Sequence, residues 1–464
     1  MKTANSFPCT DSGNAELMAA MFKDDLRFDH KRGRWLLWKK DRWLEDRRIE
    51  IFSLAKKAAR ERLKCVSHIS DDDRRTKQVG WALKSEDHYR LKAAVELVKG
   101  IVPIADSGDD WDSRPMLFGA ANGVIDLRTG KLHTALREEQ ITLYSDSPFD
   151  PAARCPRFER FLGEIFQSDV ELISFVKRAV GYSLTGDLSE QCMFCCFGHG
   201  ANGKSTLLEI LRTVFGPYAY SLPFSAFELK ARASIPNDLA AIVGRRFVTS
   251  VETAGGVRLN EARIKALTGG DTISARQLYK EFFEFRPAAK LWLAFNHKPI
   301  VEDDSEGFWR RVRLIPFAAS FSGAARDMKL LSKLESEASG ILAWAVQGCI
   351  EWQREGLEKP VAVESATEAY RQESDPIREF LEQFYEADPA GCVSSSEIWR
   401  DYAEWSRQNG TDKISQQRFS ERLKAHGLKP ERLGHERTRA WRGLARKAGY
   451  PGADTRTRAD GILQ

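Results

Sequence analysis

The sequence predicts an α/β protein whose core is a parallel sheet covered by helices on both faces, with a helical region before it and a small basic unit after it. Three observations lead there. Short, fully apolar runs at residues 192–197, 247–251, 291–295 and 312–317 alternate with turns and helical segments, the pattern of strands buried on both sides. The first run leads into Gly198-His-Gly-Ala-Asn-Gly203-Lys204-Ser205, and then into a segment whose Leu207, Leu208, Leu211 and Val214 share a helical face; that is a strand–loop–helix order. Residues 391–464 carry 15 Lys and Arg against 9 Asp and Glu, so the chain's net charge of +5 is concentrated there.

Composition bounds the rest. A chain of 464 residues suggests roughly three domains. Its 42% hydrophobic content, with 26 Phe and 12 Trp, is enough to build cores and excludes wholesale disorder. No apolar run approaches the ~18 residues of a membrane span. The start, Met1-Lys-Thr-Ala-Asn-Ser-Phe-Pro, has no apolar block, so no signal peptide is expected and the cytoplasm is the expected location. Eight cysteines suit a reducing compartment. Cys192-Met-Phe-Cys195-Cys196 has a CxxC spacing, but no second pair follows to complete a zinc site, and its neighbours Met193, Phe194 and Phe197 read as a buried strand.

Taken in order, residues 1–110 form an accessory region. Trp35, Trp38 and Trp43 bracket a charged Lys39-Lys40-Asp41 tip, which reads as a hairpin packed on its own aromatics rather than a base-stacking surface. Residues 45–65 and 85–99 have helical composition, and Gly100 stops the second. Asp71-Asp-Asp73 and Asp109-Asp110 read as solvated turns or helix caps. In 111–185, Asn122-Gly123 and Arg128-Thr-Gly130 flank a short strand. A helix carrying Phe158, Phe161, Leu162, Ile165 and Phe166 follows, then another over 170–182. Residues 186–320 are the core and 321–386 a charged helical region. A loop at 387–391 opens the last unit, 387–464. There, helices over 396–405 and 415–423, the second ended by Gly427, precede an arginine-rich segment around Trp441. Helix, helix and basic extended segment predict a winged-helix-like DNA binder that contacts phosphates.

The glycine-rich loop fits GxxxxGK[ST]. Its backbone N–H groups converge on phosphate oxygens, and the helix start adds its positive dipole end. Gly198, His199, Gly200, Ala201, Asn202, Gly203, Lys204, Ser205 and Thr206 are therefore the candidate ATP-binding set. Lys204 would reach the β- and γ-phosphates, and the Ser205 hydroxyl would bind Mg²⁺. Hydrolysis also needs a carboxylate at a neighbouring strand end to hold the metal and polarise water; Glu252, closing the run 247–251, is the candidate. Asn296, closing the run 291–295, can hydrogen-bond the attacking water or the γ-phosphate. Arg310 and Arg311, just before the run 312–317, offer bidentate phosphate recognition. Leu267-Thr-Gly-Gly-Asp271 opens a segment over 272–285 that reads as a hairpin with basic and aromatic residues near its tip, Arg276 and Lys280 among them.

The order GHGANGKST, a strand ending in SVET, IKALTGGDTISARQLYKEFFEF, LAFNHKP and FWRRVRLIPF resembles superfamily 3 helicases. It is most similar to the helicase part of the phage/plasmid primase–helicase family, itself similar to the poxvirus primase–helicase. Thr10-Asp-Ser-Gly-Asn14-Ala, Asn122-Gly-Val-Ile-Asp126-Leu and Gly181-Tyr-Ser-Leu-Thr-Gly186 extend the resemblance over about residues 10–385. The resemblance implies an AAA+-type ATPase that assembles as a ring, commonly a homo-hexamer, with ATP and Mg²⁺ between subunits. It also implies a hairpin that grips single-stranded DNA in a central channel. Lys204 and Ser205 match the phosphate and metal positions, Glu252 the acidic position and Asn296 the polar sensor. Arg311, or else Arg310, matches the arginine finger, and Arg276 and Lys280 are candidates for strand contact. Two features depart from the pattern. Val251 stands where many members carry a second acid, and the chain begins about where a primase half would end, so primer synthesis is not expected. The implied function is an ATP-dependent DNA helicase of phage, prophage or plasmid replication, acting on single-stranded and forked or origin DNA in a bacterial host, with a separate primase docking on 1–110 left open. The alternative is an ATP-binding replication initiator that assembles on origin DNA without unwinding it. A small-molecule kinase using the same loop is disfavoured by Asn296, Arg310-Arg311 and the basic terminal unit.

Overall fold

Five strands lie parallel in one sheet: β1 (Met193–Phe197), β2 (Ala219–Ser221), β3 (Phe247–Val251), β4 (Lys290–Phe295) and β5 (Val312–Pro316), in the spatial order β5-β1-β4-β3-β2. The computed structural model describes residues 4–229, 237–252, 256–276, 281–303, 305–321, 327–409, 414–433 and 437–447. Successive residues of a strand point to opposite faces, and here both faces are buried. Phe194, Cys196, Trp292, Ala294 and Ile315 join one hydrophobic core. Met193, Cys195, Leu291, Leu293 and Leu314 join the other. This is why the strands read as continuous apolar runs, and why Cys192, Cys195 and Cys196 are buried free thiols within the packing. Strand β2 is too short and too polar to show in such a pattern.

Helix α1 (Lys204–Phe215) follows β1 and buries Leu207, Leu208, Leu211 and Val214 against the first face. The helices Pro156–Ile165 and Val170–Leu184 pack on the same side, as do Leu330–Glu335 and Ala338–Glu355. Two of these run so close that only glycine fits between them. A Cβ on Gly348 would lie 2.2 Å from the Lys177 carbonyl oxygen, and one on Gly181 2.0 Å from the Cys349 amide nitrogen.

In the N-terminal region, Arg34–Lys39 and Arg42–Glu45 form the hairpin, joined by Lys40 and Asp41 at φ 47° and 63°, the left-handed pair of a two-residue turn. Trp43 is buried against Trp38 and Trp111, and its Nε1 donates to the Arg137 carbonyl at 3.0 Å. The helix read over 45–65 starts only at Ile51, because Arg42–Glu45 completes the sheet. Asp71 caps a further helix, Asp72–Lys84, by accepting from the Arg74 amide at 2.9 Å.

The C-terminal unit starts earlier than its composition indicates. Ile377 and Phe380 of the helix Pro376–Phe384 belong to the same core as Ile398, Tyr402, Trp405, Phe419 and Trp441, so the boundary at 387 falls inside it. The loop read at 387–391 is part of a strand, Tyr385–Ser394, whose register shifts between Asp388 and Cys392. The helices Ser395–Gln408 and Gln416–Ala425 and the strands Lys429–Leu433 and Thr438–Arg446 complete the unit. Among the described residues no helix is long and apolar enough to cross a membrane.

Candidate functional site

In a parallel sheet every strand delivers its next loop to the same edge, so the loops after β1, β3 and β4 converge. They meet at a cleft of about 530 Å³. Gly200 to Thr206 form one side, with Glu252 and Asn296 on the strand ends beside them. Gly203 begins α1 at φ 89°, and a Cβ there would lie 2.4 Å from Ile165 Cγ2, so glycine is required twice over. Lys204 is only 5% exposed. Its ammonium donates to the Gly198 carbonyl at 2.5 Å, Asn202 Oδ1 at 3.0 Å and Asn296 Oδ1 at 3.1 Å. Among the described residues no carboxylate touches it, and burial lowers its pKa. Asn202 in turn donates Nδ2 to the Phe317 carbonyl at 3.2 Å. The amine is thus held extended over the loop by neutral acceptors, which a phosphate can replace.

Glu252 faces the same cleft at 7% exposure, its amide bonded to the Ala294 carbonyl at 2.8 Å. Both of its carboxylate oxygens are buried without a hydrogen-bond partner among the described residues. Burial pushes its pKa up, Glu228 adds to this and His297 opposes it. An unpaired buried carboxylate is costly to keep ionised. Ser205, exposed in the first turn of α1, lines the same cleft. Ser205 and Glu252 are the residues of the cleft that could hold a divalent cation. Among the described residues no group of three or more His, Cys, Asp or Glu could hold a metal by itself.

Two residues of the candidate set lie outside the cleft. Gly198 sits under the loop, where a Cβ would lie 2.3 Å from the Phe317 carbonyl oxygen. His199 is exposed, with its ring against Phe197. Arg310 and Arg311 are at the other end of the sheet. The Arg311 carbonyl accepts from the Met193 amide, at the start of β1, at 2.8 Å. Five residues of strand, about 16 Å, separate that end from the glycine-rich loop. Arg310 is exposed and donates to Gln191 Oε1 at 3.0 Å. Arg311 is half-buried and donates to Thr268 Oγ1 at 3.2 Å and to the Gly307 carbonyl. Neither lines its own chain's cleft. The strands Ile273–Arg276 and Phe282–Phe285 pair as a hairpin at this same end, with the Arg276 guanidinium 5.3 Å from the Phe282 ring centroid. Lys280 lies outside the described residues.

The far wall of the cleft was not legible in the sequence. It comes from the helix Pro156–Ile165, through Arg157, Phe161 and Glu164, and from Phe321, Asp327 and Leu330. Arg157 bridges to Glu164 at 3.2 Å, while its Nη1 is buried without a partner among the described residues. Hydrogen bonding from Lys333 holds the Asp327 carboxyl below its usual range, and Arg157 adds to it. The only sequence signal was the apolar period that identified the helix.

Comparison with known proteins gives the site its setting. Three family models match in succession: "D5 N terminal like" over residues 15–167, "Family of unknown function (DUF5906)" over 196–311 and "Poxvirus D5 protein-like" over 372–442. The chain is 28% identical over 327 residues to "Putative helicase L207/L206" of Acanthamoeba polyphaga mimivirus, covering 65% of this chain and 34% of that one. It is 25% identical over 292 residues to "Putative helicase 022R" of Frog virus 3, covering 59% and 30%. It is 26% identical over 325 residues to "Putative primase C962R" of African swine fever virus, covering 64% and 34%. The chain therefore spans about a third of the length of these curated relatives. Its fold resembles the apo structure of the NrS-1 C terminal region, with a TM-score of 0.52 at 10% identity, over 93% of this chain and 99% of that one. The D5-type models near both ends and the relatives named helicase or primase together support a member of the primase–helicase family.

Proposed function

We propose that this chain is an ATP-driven DNA helicase of viral or plasmid genome replication, working as a ring, commonly a hexamer, on single-stranded DNA at a fork. In this reading residues 186–320 are a P-loop NTPase core of the AAA+ type, and the C-terminal unit is a winged helix. One observation carries the reading: Lys204, Asn296 and the buried Glu252 converge on a single cleft at the ends of three adjacent strands.

The residues divide the work by position. Lys204 exchanges its three neutral acceptors for the β- and γ-phosphate oxygens, while the amides of 200–204 turn toward them at the α1 N-terminus. Ser205 and Glu252 would hold Mg²⁺, which would supply charge neutralisation for the phosphate oxygens. Glu252 orients the attacking water and takes its proton, a role that its raised pKa suits. Asn296, already bonded to Lys204, senses whether the γ-phosphate is in place. Arg310 and Arg311 lie a strand's length from their own cleft, so they serve a neighbouring subunit's γ-phosphate. The hairpin with Arg276 at the same end faces the channel.

The test is strand displacement on a forked duplex, with ATP hydrolysis measured in parallel. Wild type hydrolyses ATP faster with single-stranded DNA and releases the strand, and Lys204→Ala does neither. DNA-stimulated hydrolysis by Lys204→Ala would remove the basis of the reading. Hydrolysis and assembly without strand release by the wild type would make the chain an initiator instead.

A further inference from the structure

The C-terminal unit holds a groove that the nucleotide cleft does not account for. The helix Gln416–Ala425 forms one wall and the paired strands Lys429–Leu433 and Thr438–Arg446 the other. Gln417, Ser420, Lys424, Arg432, Arg439 and Trp441 line it, around a volume of about 750 Å³.

The cations of this unit fall into two classes. Some are committed to partners. Arg418 donates to Glu302 Oε2 at 2.5 Å, and Arg418 and Arg422 each donate to the Glu302 carbonyl at 2.7 Å, which ties the helix to the ATPase core. Arg442 forks onto Glu431 at 2.6 and 2.9 Å, and Arg446 pairs with Asp401. The others face the groove. Arg432 and Arg439 are exposed, and they have no side-chain hydrogen bond or ion pair among the described residues; neither has Lys424.

The register makes this arrangement costly. Arg432 stands directly opposite Arg439, so the two side chains leave the sheet on one face with Cβ atoms about 4.5–5.5 Å apart. Like charges so placed repel. Among the described residues the groove has two acids: Glu431 is already committed to Arg442, while Glu421 accepts from Gln417 at 3.3 Å. The fold does not need two facing guanidinium groups, but an anion with repeated negative charge does. Trp441 is 4% exposed and forms the floor, so among the described residues the groove offers no open aromatic face for an unstacked base. Gln417 and Ser420 add neutral donors of the kind that contact backbone phosphates.

We propose that Arg432, Arg439 and Lys424 form a binding site for the phosphodiester backbone of duplex DNA, separate from the single-strand hairpin of the ATPase core. The site holds the duplex ahead of the fork through charge and shape, without reading bases, and it needs no nucleotide.

The experiment uses the full chain without nucleotide and follows fluorescence anisotropy of a labelled blunt 24-base-pair duplex, and of one of its strands, from 50 to 300 mM KCl. Losing two phosphate contacts lowers the log–log salt slope by about 1.8. Between 50 and 200 mM, wild-type affinity for the duplex therefore falls about 12-fold further than that of R432Q/R439Q. Lys424→Gln lowers the slope by about 0.9. Arg407→Gln, on an exposed face of the helix Ser395–Gln408, changes nothing. The double variant melts no lower than wild type, because it removes a repulsion, so lost binding cannot be ascribed to unfolding. An unchanged duplex slope in R432Q/R439Q overturns the proposal. An equal loss on the single strand overturns its assignment to duplex. Neither outcome touches ATP hydrolysis, so the proposal can fail independently of the helicase reading.

Discussion

Replacing Glu252 by Gln separates a functional role from a structural one, because the two predict opposite signs. The carboxylate is 7% exposed, and neither oxygen has a hydrogen-bond partner among the described residues. A buried neutral polar group left unsatisfied costs about 1–3 kcal/mol, and a charged one more. Glu252→Gln keeps the shape and removes the charge, so the protein gains about 1–2 kcal/mol at neutral pH. For a unit of 150–250 residues that raises the melting temperature by roughly 2–8 °C. The sign with pH follows from the raised folded pKa. Below the unfolded value of about 4.3 the carboxyl is protonated in both states, so wild type and variant differ least. As pH climbs above the unfolded value the unfolded chain ionises first, so wild-type stability falls and the gap opens; it is fully open once pH has passed the raised folded value, and it persists above that. Hydrolysis moves the other way, falling by about 10²–10⁴ with loss of the proton acceptor. Thermal scans at pH 5 and 8, with steady-state phosphate release at pH 8, test both arms. A variant that melts lower than wild type at pH 8, or one that still hydrolyses ATP at the wild-type rate, would refute the reasoning.

Three further outcomes follow from the geometry. Gly203→Ala puts a non-glycine residue at φ 89°, a cost of about 1–2 kcal/mol, and a methyl 2.4 Å from Ile165 Cγ2; calorimetry should show ATP affinity at least about tenfold lower. Gly348→Ala drives a methyl against the Lys177 carbonyl and should lower unfolding stability by about 1–3 kcal/mol in denaturant titrations, whereas Gly200→Ala, with nothing within 4 Å, should leave it unchanged. Arg310→Ala and Arg311→Ala should retain nucleotide binding while whichever removes the trans-acting guanidinium loses about 10³–10⁵ in hydrolysis; mixing that variant with Lys204→Ala subunits should restore part of the rate, and no restoration would place the arginine's action within its own subunit.

Four strands were legible in the sequence to within a residue because burial on both faces leaves no polar interruption. Since loops leave a parallel sheet at its strand ends, Glu252 and Asn296 could be placed beside Lys204 from the strands alone. What escaped has definite causes. The helix Asp72–Lys84 buries only Gln78 and Ala82, so it shows no apolar stripe. The strand Tyr385–Ser394 contains Asp388-Pro-Ala-Gly391, a turn signature that the fold absorbs as a register shift. Phe161 carries both roles at once: its helical period places it in the core, yet it also lines the cleft. Arg157 and Asp327 meet there only because helices far apart in sequence pack on the same face of the sheet, and no local spacing encodes such a meeting.

The polarity of the sheet also constrains how nucleotide and DNA are coupled under the proposed function. The phosphate loop occupies one edge, and the hairpin and both arginines the other. Arg311 donates to Thr268 Oγ1 at 3.2 Å, and Thr268 stands in the last turn of the helix Glu261–Gly269, directly before Gly270 at φ 76° and the hairpin strand that begins at Ile273. The guanidinium presented to a neighbouring phosphate and the hairpin presented to the strand thus hang on one short helix. A pull on Arg311 reaches the hairpin through one hydrogen bond and a few residues of backbone. The path from the same subunit's own cleft must cross the sheet. The shorter path joins each hairpin to the nucleotide of the adjacent subunit, which is the connection that a ring hydrolysing ATP in sequence requires.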